Sequence, residues 1–243
     1  MRWQFFLTAV SLFILSVTAA VPPALAQAGT DIFVTPIPNA PFTGTINVER
    51  SFVQRDGAII QSKTVRDIGR DSRGRIFNQS RTLVPIASSE TPELVAVHLY
   101  DPQTRTSTMV FTRDRTYAKA TVNRPPETTP PALLASSAAN SLPRNEFARE
   151  EDLGTRQMEG VGVHGVRETQ TIPAENGGKE TVITDEYWYS EDLRINLMIK
   201  HNDPRTGGFT MTVTQVKRTE PNPALFDVPE GYTLRGAQPK AQQ

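Results

Sequence analysis

The chain contains no cysteine, and that absence removes several classes of function at once. It can form no disulfide, offers no thiol nucleophile and holds no cysteine-ligated structural zinc. Covalent lipid attachment at an export cleavage site, which needs a cysteine there, is excluded as well. Histidine is scarce: there are three, His98, His164 and His201. No two of them stand at i, i+2 or i, i+4, so no metal site is expected. Neither sign of charge is in excess, with 26 basic and 26 acidic side chains, which argues against a nucleic-acid partner. A Gly-x-Ser-x-Gly elbow and a phosphate-binding loop are both missing. Gly160, Gly162 and Gly165 do spell G-x-G-x-x-G, but a strand pattern follows where a dinucleotide site needs a helix.

What is present starts with an export signal. Arg2 and the amino terminus are positive, Phe5 to Val21 is almost wholly apolar, and Ala24-Leu25-Ala26 has the small residues a signal peptidase accepts. The apolar run is shorter than the ~20 residues that span a bilayer, and Pro22-Pro23 ends it. Cleavage is expected before Gln27, with cleavage after Ala28 as the near alternative. Removing residues 1–26 takes Arg2 from the 26 basic residues and leaves 25 against 26 acidic. The expected location is periplasmic or secreted, with no transmembrane segment after cleavage.

Residues 27–41 are a proline-rich leader, read as extended or disordered. From Phe42 the apolar period is two: Phe42, Gly44, Ile46 and Val48 fall on one side of a strand. Turn signals at Arg55-Asp56-Gly57, Asp71-Ser72-Arg73-Gly74, Asp101-Pro102 and Arg113-Asp114 separate further strands as far as Thr121. Leu94 to Tyr100 is apolar on both faces and is expected in the sheet interior. Strands resume over 150–158, 161–172 and 181–189, with Glu175-Asn176-Gly177-Gly178 as a hairpin turn. Leu193, Ile195, Leu197 and Ile199 alternate with polar residues, and Phe209, Met211 and Val213 follow. Between the two series, residues 122–145 are rich in proline around Ala132 to Ala139, and read equally as a loop or as a short helix over 130–142.

The pattern predicts a mainly β protein: a single antiparallel meander of about eleven strands, with one short helical cover. Twist accumulates over that many strands, so a strongly curved sheet or incomplete barrel is expected over 42–234, with a disordered tail at 235–243.

The segment Pro221-Asn222-Pro223-Ala224-Leu225-Phe226-Asp227-Val228-Pro229-Glu230-Gly231-Tyr232 resembles the closing segment of the lipoprotein-carrier fold, the group including LolA, LolB and the N-terminal domain of RseB. Over 181–234 the chain also resembles exported bacterial proteins of unassigned function. The resemblance implies a half-barrel with an apolar concave face. Pro223 would start a single helical turn, Leu225 and Phe226 would plug the open end of the sheet, and Pro229 would stop further pairing. Only 130–142 offers a lid helix, and no residue matches the arginine with which carriers gate their cavity.

Catalysis is not expected. Asp185 and Glu186 are adjacent on a strand and point to opposite faces, and Glu191-Asp192 lies in a turn. His98 alternates with Ala96 and Tyr100, as a satisfied core histidine would, and His201 falls at a turn, open to solvent. Arg50 belongs to a basic stretch, Arg50 to Arg81, that reads as the solvated face of hairpins. Two functional classes remain. One is an exported non-enzymatic binding module, without cofactor, holding an apolar or amphipathic ligand against Ile46, Val48, Leu197, Ile199, Met211 and Val213. The other is a structural or interaction protein of the envelope, with a filled core and a protein partner. N-terminal sequencing of the exported protein should find Gln27 or Gly29 first, and an intact Met1 would contradict the reading of the leader.

Overall fold

The computed structural model describes residues 31–122, 147–174 and 179–236. Residues 1–30 with the expected signal peptide, residues 123–146 with the candidate helix, the expected turn at 175–178 and the tail from 237 lie outside the described residues. The strands are β1 (Phe42–Val53), β2 (Ile59–Arg70), β3 (Ile76–Arg81), β4 (Val84–Pro85), β5 (Leu94–Asp101), β6 (Thr106–Phe111) and β7 (Thr116–Thr121). There follow β8 (Ala148–Met158), β9 (Val161–Ile172), β10 (Thr181–Ser190), β11 (Ile195–Asp203), β12 (Gly207–Lys217) and β13 (Thr233–Leu234).

All belong to one 13-stranded sheet, ordered β13-β7-β6-β5-β3-β2-β1-β12-β11-β10-β9-β8, with β4 attached to β2. The protein is mainly β, as expected, but the sheet holds two meanders rather than one. β1 to β7 form the first and β8 to β12 the second, and β1 joins them by pairing antiparallel to β12. Burial explains the order. β1 is the strand whose Phe42, Gly44, Ile46 and Val48 are all buried, so it needs a neighbour on each side. β7 and β8 are largely exposed along their length, and these polar strands stand near or at opposite edges. β8 is also interrupted by a bulge between Asp152 and Gly154. β13 departs from the antiparallel scheme, running parallel to β7.

Register assigns the faces. Val48 lies opposite Met211 and Thr64, and Met211 opposite Ile199, so these side chains share what we term the inner face. The main core sits there: Ile46, Val48, Ile68, Ile195, Leu197, Ile199, Met211 and Val213 are all buried. The described part of the leader is extended and covers this core. Ile32 and Val34 are each 1% exposed and pack among those residues.

A second core lies on the outer face of β3, β5 and β6, built from Phe77, Leu99 and Val110 with Phe226. β5 is thus apolar on both faces because it serves both cores, with Tyr100 turned inward and Leu99 outward. The Phe77 ring lies flat over Gly69, where a Cβ would come 2.5 Å from it. The closing segment covers the second core. Asn222 caps a 3-10 turn, Pro223–Phe226, its Oδ1 accepting the Ala224 N–H at 3.0 Å. Phe226 meets Phe77 edge-on at 5.6 Å, and the Arg75 guanidinium lies 4.8 Å from its centroid. Leu225, expected to share the plug, is instead 39% exposed, because a single short turn presents one apolar side chain to the sheet.

Phe226→Ala should cost about 3–5 kcal/mol in denaturant unfolding, the usual effect of deleting a buried aromatic ring. A loss below ~1 kcal/mol would mean that the closing segment contributes little to the second core.

Candidate ligand site on the inner face

The six residues expected to line a ligand site stand together on three adjacent strands, β1, β12 and β11. Each of them is between 0% and 3% exposed, so they form a sealed wall. The seal on the described side is the strap Asp31–Ala40, and Arg70 holds it down. This guanidinium is itself 0% exposed. Its Nη1 donates to the Thr35 carbonyl at 2.6 Å, its Nε to Ala40 at 2.8 Å and its Nη2 to Leu193 at 2.9 Å. Among the described residues no carboxylate pairs with it; three carbonyl dipoles and the Phe42 ring, 5.1 Å away, replace its water. Burial, with the charge of Arg194, lowers Arg70 to about 10, so it stays charged at neutral pH. Two further ties hold the strap: Arg66 pairs with Asp31, and the Thr35 hydroxyl donates to the Arg194 carbonyl at 3.0 Å.

The inner face is different over β3, β5, β6 and β7. There the floor consists of Asn78, Ala96, His98, Ser107, Met109 and Ala118, all partly exposed. Ala96, Ser107 and Ala118 contribute only small side chains to it. His98 Nε2 lies 2.8 Å from the Ser107 hydroxyl, and burial lowers its pKa, which keeps the ring neutral at neutral pH. Beside it, the Asn78 side-chain carbonyl is buried with no hydrogen-bond partner. A buried acceptor left open is uncommon and marks a place where a donor could enter.

Toward the free end of the β1–β2 hairpin the inner face turns polar. His201, expected at a solvated turn, is on β11 and partly buried. Its Nδ1 is 2.7 Å from Asp185, and its ring stacks on Phe209 with centroids 5.4 Å apart. Arg50 lies over the other side of the arrangement, its guanidinium carbon 5.6 Å from the Phe209 centroid. Beyond Arg50, Phe52 and Ile60 pair across strands and are 48% and 49% exposed. The sequence carried the signal for Arg50, which shares the parity of Ile46 and Val48. Asp185 and Glu186 do diverge: Glu186 accepts from the Trp188 indole at 2.6 Å and from Arg167 at 3.0 Å. The Trp188 ring rests on Gly165, where a Cβ would come within 2.8 Å, which accounts for the last glycine of the G-x-G-x-x-G run.

An open cleft of about 450 Å³ lies elsewhere, among Thr155, Arg156, Val163, His164, Tyr189 and Asp192. None of the six sealed residues borders it. No group of metal-ligating side chains occurs among the described residues, and none of their helices is long and apolar enough to cross a membrane.

No family model and no curated protein matches the chain. Solved structures do. MucB aligns at 13% identity over 81% of this chain and 60% of its own, with a TM-score of 0.40. The Mycobacterium tuberculosis lipoprotein LppX aligns at 12% identity over 74% of this chain and 88% of its own, with a TM-score of 0.30. A LolA superfamily protein from Nitrosomonas europaea aligns at 10% identity, covering 79% and 92%, with a TM-score of 0.32. The chain therefore spans about three fifths of the length of MucB.

Arg70→Met should release the strap. Three guanidinium hydrogen bonds are lost, two of them buried, so a loss of about 3 kcal/mol or more is expected, with faster proteolysis near Asp31–Thr35. A change below ~1 kcal/mol would show that the apolar contacts of Ile32 and Val34 hold the strap unaided.

Proposed function

We infer that this is an exported, non-enzymatic binding module that takes an apolar or amphipathic ligand on the inner face of its sheet. The observation that carries the reading is the contrast within that face. Ile46, Val48, Leu197, Ile199, Met211 and Val213 make a sealed wall, while Ala96, Met109 and Ala118 make a partly exposed floor on the same face. A ligand can lie on that floor without disturbing the core, and the open Asn78 acceptor gives it a polar anchor. To reach the six residues themselves it would have to displace Ile32 and Val34, which couples deep entry to movement of the strap. The resemblance of the closing segment to the carrier fold agrees with this reading.

The sealing of the six residues favours the second reading, an envelope scaffold whose core is full and whose partner is a protein. Titration with a hydrophobic dye or a medium-chain fatty acid separates the two. Saturable binding is expected, and Met109→Glu should abolish it while the circular dichroism of the β sheet is retained. Leu197→Glu, by contrast, should unfold the protein, since it places a charge at a site with 0% exposure. Absence of binding in the folded wild type would support the scaffold.

A further inference from the structure

The row Asp185, His201, Phe209, Arg50 crosses four strands, each residue lying opposite the next in the register. Cross-strand partners of this kind are about 5 Å apart, close enough to act as one surface. The charges in the row are not balanced evenly. Asp185 is engaged by His201, and across from it on β9 stands Glu168. Arg50 has no such partner: among the described residues no carboxylate lies within ion-pair distance of it, and its one contact of this kind is the Phe209 ring. The neighbouring Glu49 and Lys63 point to the outer face, opposite in parity to Arg50. Arg66, two pairs further along the inner face, is already taken by Asp31. Among the described residues, the Arg50 guanidinium therefore touches an aromatic ring, has no hydrogen-bond or ion-pair partner for its donors, and has apolar Phe52 and Ile60 beside it.

We propose that Arg50 receives the anionic head of a single-chain amphiphile, a carboxylate or phosphate group, with the first part of the alkyl chain against Phe52 and Ile60. The proposal rests on the inner-face reading given above and adds the chemistry of the head group. A planar guanidinium offers two parallel N–H donors to the oxygens of either anion. The flanking apolar side chains exclude water from one side and so strengthen that attraction. The cation–π contact with Phe209 favours one placement of the guanidinium, so that less side-chain freedom is lost when the anion arrives.

The test uses the mature protein and amphiphiles of equal chain length: dodecanoate, dodecyl phosphate and the neutral glycerol monododecanoate, with acetate and inorganic phosphate as tail-less controls. Wild type should bind at least one anionic amphiphile about tenfold or more tightly than the neutral one, and bind the controls weakly. Arg50→Gln, which keeps the aliphatic stem, should bring anionic and neutral affinities together, and Arg50→Lys should restore part of the difference. Phe52→Ser should weaken all three amphiphiles alike. Equal binding of anionic and neutral amphiphiles by wild type, or a preference that survives Arg50→Gln, overturns the head-group assignment and leaves the binding module standing. If none of the three binds, the binding module falls and this assignment with it.

Discussion

β1 is hydrogen-bonded along both edges, and its two partners come from opposite ends of the domain. β2 follows through a short hairpin, whereas Ser51 meets Gly208 across a separation of 157 residues. The entropy of closing so long a loop grows only slowly with its length, but contacts of this kind reward the chain late in folding. Until β12 reaches β1, Ile46 and Val48 have no Met211 or Val213 to lie beside, and the second meander has no wall to pack on. The cation–π contact of Arg50 with Phe209 crosses the same seam. Core and candidate head-group site therefore form in one event.

The sheet changes the face it buries as it runs from β1 toward β7. Around β1 the inner face is covered by the strap; around β5 the outer face is covered by the closing segment. These two covers come from opposite ends of the domain, yet they meet at one turn, Asp71 to Gly74. The Asn39 N–H donates to the Ser72 carbonyl at 2.9 Å, and Ile37 lies over Gly74. From the other side Glu220 accepts the Ser72 N–H at 3.1 Å, while Arg75 sits over Phe226. Gly74 has φ of 86°, and a Cβ there would come 3.1 Å from the Ile37 carbonyl carbon, so the turn depends on glycine at that position. Asp71, buried beneath, holds the turn together by accepting the Arg73 and Arg75 N–H groups at 3.0 and 2.8 Å.

Much of this was legible in the sequence because a strand with one buried face writes its burial into alternate positions. The alternation at Phe42 to Val48 and at Ile195 to Ile199 located strands whose side chains point as expected. Which strands pair was not legible in the same way, since nothing local in β1 names β12 as a partner. In the leader, whose prolines at 36, 38 and 41 suggest an extended or disordered segment, the described part is extended and packed, and the spacing of two between Ile32 and Val34 is the visible sign of that packing. His201 was placed in solvent because Asp203-Pro204 signals a turn. The strand in fact runs through Asp203, whose carboxylate accepts the Arg205 N–H at 2.9 Å and forms an ion pair with its side chain, so the turn starts later. Arg70 does not stand out from its neighbours in the sequence, because its role depends on carbonyls from two distant segments, the strap and the turn at Leu193.

An open sheet of this width has two borders, and each is finished differently. On one, the short parallel strand β13 caps the start of β7, and Arg235 lies 3.6 Å from the Phe111 ring while pairing with Asp114. On the other, β8 brings Arg149, Glu150, Glu151 and Asp152 to the margin just before its bulge. Charged side chains and a local kink make a poor template for a strand from another molecule. Sheet extension from copy to copy would have to strip a parallel strand from one margin and desolvate a row of charges at the other. Fibre-like growth is thereby discouraged at both ends without the sheet having to close into a barrel.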